Sequence, residues 1–346
     1  MKELLAILLF LFPLGQLIRL PLGFPGVGVY VHDLILGIIW FWLLAKYRKQ
    51  LILLLKKDRL SRLIIMFASW SLLTWLVNCH RWGPRSLIGL GYLIRWLLLT
   101  APYFALKILN DRVLNEKVIR LLRFSLFLNA LLGLVQYLLF PDWRHLKYFG
   151  WDDHYYRLTG TFLDPNFMGL VLVLALGLEL FTIRHSLFII LYTLLLYLTY
   201  SRASWLAFLV LLISWGIKRK AWKLGLLLVI SYLSLVILFP RPFGEGGNLL
   251  RTFSLKSRYR SWQTAWLIAK RNPVFGVGFN NYRWVQKELG VLGEDWAEGH
   301  AGAGADNSFL FVWATTGIFG LIIFLWLVFS WHPVWLVFPV VVLGLF

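Results

Sequence analysis

Ten apolar runs of or near membrane-spanning length take up most of this chain, at 7–20, 29–45, 63–77, 86–109, 118–140, 167–183, 187–200, 204–217, 224–239 and 307–329. A hydrocarbon core of ~30 Å asks for helical segments of roughly 17–25 apolar residues. A further run at 335–346 is a short eleventh candidate. The runs lack the two-residue alternation of a barrel, and lipid leaves no other way to satisfy the backbone, so each is read as a helix. The expectation is an all-α polytopic integral membrane protein of about 10–12 transmembrane helices. It forms one membrane domain over 1–346, with one long loop at 240–306.

Orientation follows from the basic loops. Lys46, Arg48, Lys49, Lys56, Lys57, Arg59 and Arg62 lie between the second and third runs, opposed only by Asp58. Lys107, Arg112, Lys117, Arg120 and Arg123, and later Lys218, Arg219, Lys220 and Lys223, fall on the same side if the N-terminus is cytoplasmic. Lys2 before an apolar run imitates a signal peptide, but Glu3 and the missing small-residue cleavage site favour a retained first span. Cys79 is the single cysteine, so an intrachain disulfide is excluded.

The outer loop departs from the positive-inside pattern. Arg241, Arg251, Lys256, Arg258, Arg260, Lys270, Arg271, Arg283 and Lys287 face only Glu245. From 288 to 306 the sign reverses, with Glu288, Glu294, Asp295, Glu298 and Asp306 and no Lys or Arg. A long translocated loop is indifferent to such charge. The alternative is a surface that holds an anion, because guanidinium forks match phosphate oxygens. Arg95 lies well inside the 86–109 run, where a charge costs at least ~2.5–3.5 kcal/mol; it either lines a polar cavity or pairs with carbonyls or Glu179. Glu179, near an inner end, reads as interfacial.

Four segments hold the remaining specificity. The first is Arg157-Leu-Thr-Gly-Thr-Phe-Leu-Asp164-Pro-Asn166-Phe-Met-Gly169, in which Asp164 and Asn166 are turn and cap residues for the helix that follows. A tight outer corner, Tyr200-Ser-Arg202-Ala-Ser-Trp-Leu206, is the second. The third runs from Arg258-Tyr-Arg260-Ser-Trp262 through Ala265–Pro273 to Gly276-Val-Gly278, a short amphipathic helix lying at the interface and stopped by proline. The fourth is Asp306-Asn307-Ser-Phe-Leu310, followed by Gly317 and Gly320. Gly276-Val-Gly278 follows no strand, which argues against nucleotide binding. Asp152-Asp153-His154 in an aromatic loop is read as solvated polarity and not as a metal site. Most tryptophans, such as Trp40, Trp42, Trp331 and Trp335, suit an interfacial belt. Trp262 and Trp266 in the outer loop are candidates for stacking on sugar rings.

In order and wording the four segments resemble the O-antigen ligase and polymerase superfamily over roughly residues 120–324. Such proteins act on lipid-linked glycans outside the bacterial cytoplasmic membrane, and the resemblance implies a GT-C-like glycosyltransferase architecture. It implies metal-free, cofactor-free inverting transfer of a glycan from a polyprenyl diphosphate carrier to the hydroxyl of a glycan or lipid-glycan acceptor. Membrane lipid is then a partner and nucleic acid is not; a chain-length regulator or a flippase is the expected protein partner. Arg157, Arg202, Arg258 and Arg260 would stabilise the diphosphate leaving group, with Arg95 lower in the same cavity. Asp306 would be the base, with His300 the alternative. Ligases of the family carry His, Asn, nine residues, then Gly; Asn307 and Gly317 keep that spacing, but Asp306 replaces the His. Polymerase-like members more often have an acid there, so ligase and polymerase both stay open. A transporter of a small anion or glycolipid is the rival class, disfavoured because the distinctive residues cluster on one face and no span pair forms a broken inverted repeat. An envelope scaffold would leave the Arg and Asp residues unexplained.

The topology makes a direct prediction. A cysteine placed at Glu245 in a Cys79→Ser background is expected to react with an impermeant reagent in intact cells. Reaction only after permeabilisation would put every motif in the wrong compartment.

Overall fold

The computed structural model describes residues 1–21, 28–149, 152, 154–183, 186–238, 253–293 and 304–330. His300, Arg241, Arg251, Glu294, Asp295, Glu298 and the 335–346 run lie outside these residues, as does much of the 240–306 loop. The described chain is almost entirely helical, its one sheet being the antiparallel pair Arg19–Pro21 and Gly28–Tyr30. Three stretches are long and apolar enough to cross a membrane: Arg59–Leu109, Arg112–Leu139 and Ser308–Phe329. Pro165–Phe181, Leu187–Leu198 and Gly225–Ser234 are apolar but shorter. The class is that of an all-α polytopic membrane protein.

Most apolar runs coincide with helices; the departures have local causes. The 7–20 run is not one span: its helix stops at Leu11, gives a turn at Phe12–Leu14 containing Pro13, and ends at Gly15 with φ 55°. Proline lacks the N–H that would continue the ladder. The 86–109 run breaks into Ser86–Leu98 and Ala101–Leu109, with Pro102 in the first turn of the second piece. The 167–183 run closes in a π turn at Glu179–Ile183. Glu179, read as interfacial, is buried within the protein and accepts from Arg123 Nε at 2.8 Å and Arg123 Nη2 at 3.3 Å.

The chain forms two compact units. In the first, Arg59–Trp82 packs along Ser308–Phe329, and Phe253–Arg271 packs on the same late helix. Its small core joins Trp82, Ala265, Ile268, Ala269, Val277, Tyr282, Val285, Phe311 and Ala314. In the second, Pro165–Leu178 is flanked by Ser186–Leu198 and Arg202–Lys218, and the latter packs on Trp222–Leu238.

A break in Ser308–Phe329 organises the first unit. Gly317 there has φ 72° and ψ −176°, outside the helical region. The polar groups around that break are taken up by neighbours: Ile318 N donates to Pro273 O at 2.8 Å, Val277 N to Ala314 O at 2.9 Å, and Trp70 Nε1 to Thr316 O at 2.8 Å. A Cβ on Gly317 would stand 1.8 Å from Val274 O, and one on Gly276 would stand 2.5 Å from the Thr315 carbonyl carbon. Both glycines are therefore required by close backbone contact, and Gly276-Val-Gly278 is a packing device.

Gly317→Ala combines a positive φ with a backbone collision and is expected to cost ~3 kcal/mol or more. Gly37, in the Val31–Lys46 helix, is the control, since an added methyl there would meet nothing within 4 Å. Gly37→Ala is expected to stabilise by ~0.5–1 kcal/mol. Thermal unfolding in detergent of both variants checks the pair.

Candidate functional site

In the second unit the first two motifs meet. Asp164 is the N-cap of Pro165–Leu178, its carboxylate accepting from Asn166 N at 2.5 Å and Phe167 N at 3.0 Å. Ser201 is the N-cap of Arg202–Lys218. Ser201 Oγ donates to Asn166 Oδ1 at 2.9 Å, and Ser204 Oγ donates to Asn166 O at 3.3 Å, which ties the two helix starts together. Gly169 permits the approach, since a Cβ there would fall 2.4 Å from Ser204 Oγ. Two helix N-termini, each with partial positive charge, thus lie side by side with Arg202 in the first turn of one of them. Such an arrangement suits an anion.

Arg157 does something else. It is buried, and its guanidinium donates to Thr199 O at 3.1 Å and Tyr200 O at 3.3 Å. A cation on the two carbonyls just past Ser186–Leu198 satisfies the turn that follows that helix and shapes the corner before Arg202. Beneath it sits a group that the sequence reading missed. Gln136, buried in Arg112–Leu139, accepts from Thr159 N at 2.9 Å and Gly160 N at 3.2 Å, and donates to Phe140 O and Arg157 O. Asn129 donates to Thr161 Oγ1 at 3.2 Å. A glutamine and an asparagine within a long apolar run were the available signal.

The third and fourth motifs meet in the first unit. Asn307 is the N-cap of Ser308–Phe329, its side chain accepting from Phe309 N at 3.0 Å and Leu310 N at 3.1 Å. Asp306, exposed just ahead of it, is held by its backbone: its N donates to Ser261 Oγ at 3.1 Å, and Trp262 Nε1 donates to its carbonyl at 3.2 Å. Arg258 lies one turn before Trp262 on the same helix and Arg260 two residues before it; Arg258 is half-buried and Arg260 exposed. Neither forms an ion pair among the described residues. Burial pushes the Tyr282 phenol above its ordinary value, and the Asp306 carboxylate pushes the same way. Gln286 opposes that rise through its side-chain hydrogen bond to Tyr282, and the buried Asn281 Oδ1 has no hydrogen-bond partner among the described residues. Burial also pulls the Arg283 guanidinium below its ordinary value, with Tyr92 opposing.

Arg95 belongs to a different constellation from the one expected. It donates to Asp33 Oδ2 through Nε at 3.1 Å and Nη2 at 2.8 Å, and also to Gly28 O. Its guanidinium lies 5.1 Å from the Tyr30 ring and 5.6 Å from the Tyr92 ring. Asp33, which sequence reasoning passed over, neutralises the intramembrane charge, and Glu179 is paired to Arg123 instead. Arg95 is thus committed to an internal pair with Asp33.

A helical membrane fold with two motif pairs, each meeting at a helix start, defines the class. The family model described as O-antigen ligase matches residues 187–325, which include the second, third and fourth motifs. An O-antigen ligase of Salmonella typhimurium is 32% identical over 133 residues, covering 36% of this chain and 33% of that protein. The match therefore spans about a third of the length of the curated relative. No solved structure matches. Both matches support the O-antigen ligase/polymerase superfamily, the one the four motifs resemble.

Gln136→Met keeps the side-chain length and strands the buried N–H groups of Thr159 and Gly160. Each such group costs ~1–3 kcal/mol, so a clear drop in thermal stability is expected, larger than that from the cap variant Asp164→Ala at ~1 kcal/mol. Equal effects would show that the Thr159–Gly160 turn does not depend on Gln136.

Proposed function

We propose that the protein transfers a glycan from a polyprenyl diphosphate carrier to an acceptor hydroxyl on the outer face of the bacterial cytoplasmic membrane, as an O-antigen polymerase- or ligase-like enzyme of surface polysaccharide assembly. The observation that carries the reading is the junction of Asp306 with the Phe253–Arg271 helix. An exposed carboxylate is held through its own backbone by Ser261 and Trp262, on the helix that bears Arg258 and Arg260. The matches to O-antigen ligases support the same chemistry.

Cleavage of the donor C1–O bond leaves negative charge on the diphosphate. Arg258 and Arg260 are proposed to stabilise it, and Arg202, at a helix start of the second unit, is proposed by itself as an anion-binding fork. Asp306 is proposed to accept the proton of the attacking hydroxyl or to orient it. A single displacement inverts the anomeric centre and requires no metal. Arg157 and Arg95 are proposed to act through structure, since their guanidinium groups hold backbone carbonyls and Asp33.

Turnover of a lipid-linked glycan by the purified protein tests the reading. Arg202→Lys keeps the charge but loses the fork, and a drop of ~10-fold or more is expected, equivalent to ~1.4 kcal/mol. Arg241→Lys, at the start of the loop, is expected to be silent. If both are silent, the outer charge is not a diphosphate site.

Asp306→Asn is nearly isosteric and is expected to lower turnover ~10²-fold or more. Asp306→His, which restores the residue of the ligase-like relatives, is expected to retain part of the activity. His300→Ala is the comparison: complete loss there beside a wild-type Asp306→Asn would transfer the base to His300.

A further inference from the structure

The outward face of Phe253–Arg271 carries a pattern that the catalytic reading leaves unused. Lys256, Tyr259, Trp262, Trp266 and Lys270 follow at intervals of three, three, four and four, so they share one side of the helix. The line is about 21 Å long at 1.5 Å per residue. Its rings are open to solvent, with Tyr259 61% exposed, Trp262 42% and Trp266 52%. Ala265, Ile268 and Ala269, by contrast, are turned fully into the core.

We propose that this stripe binds a saccharide chain bearing acidic groups, the glycan handled at Asp306. The inference deepens the glycan-transfer reading and rests on it. Three observations carry it. First, the rings are held in place: Trp262 Nε1 donates to Asp306 O at 3.2 Å, and Trp266 packs edge-on against Trp313 at 5.2 Å between centroids. Fixed aromatic surfaces lose little entropy when a ligand stacks on them. Second, the exposed residues on this side are amphipathic and polar, with Gln263 alongside the aromatic rings and lysines. Leu267 on the same side is 41% exposed, but rings, amide and ammonium groups outnumber it among the described residues, unlike the mainly apolar face of a helix that inserts into lipid. Sugar rings offer apolar C–H faces rimmed by hydroxyls, and Tyr and Trp present a flat apolar body with a polar tip.

Third, the helix holds Lys256, Arg258, Arg260, Lys270 and Arg271 and no Asp or Glu, so a neutral chain would leave its charge unanswered. The ammonium groups at both ends of the stripe call for carboxylate or phosphate substituents on the occupant. Because Trp262 touches Asp306, a chain lying along the stripe runs directly to the proposed base.

The test uses the purified full chain in nanodiscs of zwitterionic lipid, titrated calorimetrically with tetragalacturonate and with maltotetraose. The acidic probe is expected to bind at least ~10-fold more tightly, with the preference shrinking as salt rises. Tyr259→Ala and Lys270→Gln, both at exposed positions, are each expected to weaken it by about 10-fold, while Ser257→Ala, exposed on another side of the helix, leaves it unchanged. Equal binding of the two probes, or unchanged binding by the stripe variants, overturns the proposal. So does a result in which those variants alter affinity for dihexanoyl phosphatidylglycerol but not for the saccharide, which would make the stripe a lipid contact. Transfer activity with silent stripe variants removes only this inference; selective probe binding without any transfer removes only the enzymatic reading.

Discussion

Every backbone N–H and C=O that leaves a helix inside a bilayer must find another partner, and the first unit is built around one such place. At Gly317 the late helix breaks, and Pro273 O, Val277 N and Trp70 Nε1 bond to the backbone around it. An unsatisfied group in hydrocarbon costs several kcal/mol, so this small set of bonds fixes where the Pro273–Gly278 segment sits. That segment follows Phe253–Arg271, and the break lies ten residues beyond the N-cap Asn307. Once the break is anchored, Asp306 and the arginine-bearing helix are brought to one place. Ser261 and Trp262 then complete the contact.

The same economy of polar groups sorts the arginines. A guanidinium in a low-dielectric interior must be neutralised or hydrogen-bonded. Arg95 meets Asp33, Arg123 meets Glu179, and Arg157 caps the carbonyls of Thr199 and Tyr200. Each of these is an element of architecture. Arg258 and Arg260 stand outside that set, more open to solvent and without an ion pair among the described residues. The proposed function accordingly places an anionic leaving group with the arginines near the surface, and the buried ones hold the corners in shape.

The family model described as O-antigen ligase, over 187–325, agrees with the second, third and fourth motifs and with the helical membrane fold. Asp306 in the place of the ligase His is the chemical difference that most affects mechanism. A carboxylate is a weaker base than imidazole unless its environment raises its affinity for protons. Its exposure and its backbone tethers suit positioning of an acceptor hydroxyl as well as proton transfer.

Hydropathy alone determined the helical membrane class and the positions of most helices, because spanning length and backbone satisfaction admit few alternatives. The capping role of Asp164 was equally legible, since it depends on residues only two or three positions away; Asn166, read with it as a cap, instead accepts from Ser201. Breaks at Pro13 and Pro102 were written in the sequence too, but hydropathy counted past them. What tertiary structure decided were the partners distant in the chain. Nothing in the spacing of Arg95 and Asp33, of Gln136 and Thr159, or of Gly317 and Val274 marks them as neighbours. Each pairing satisfies a buried charge or backbone group that hydropathy treats only as an exception. Which polar residue meets which is settled by how the helices pack, and that is where structural arginines part from those left for chemistry.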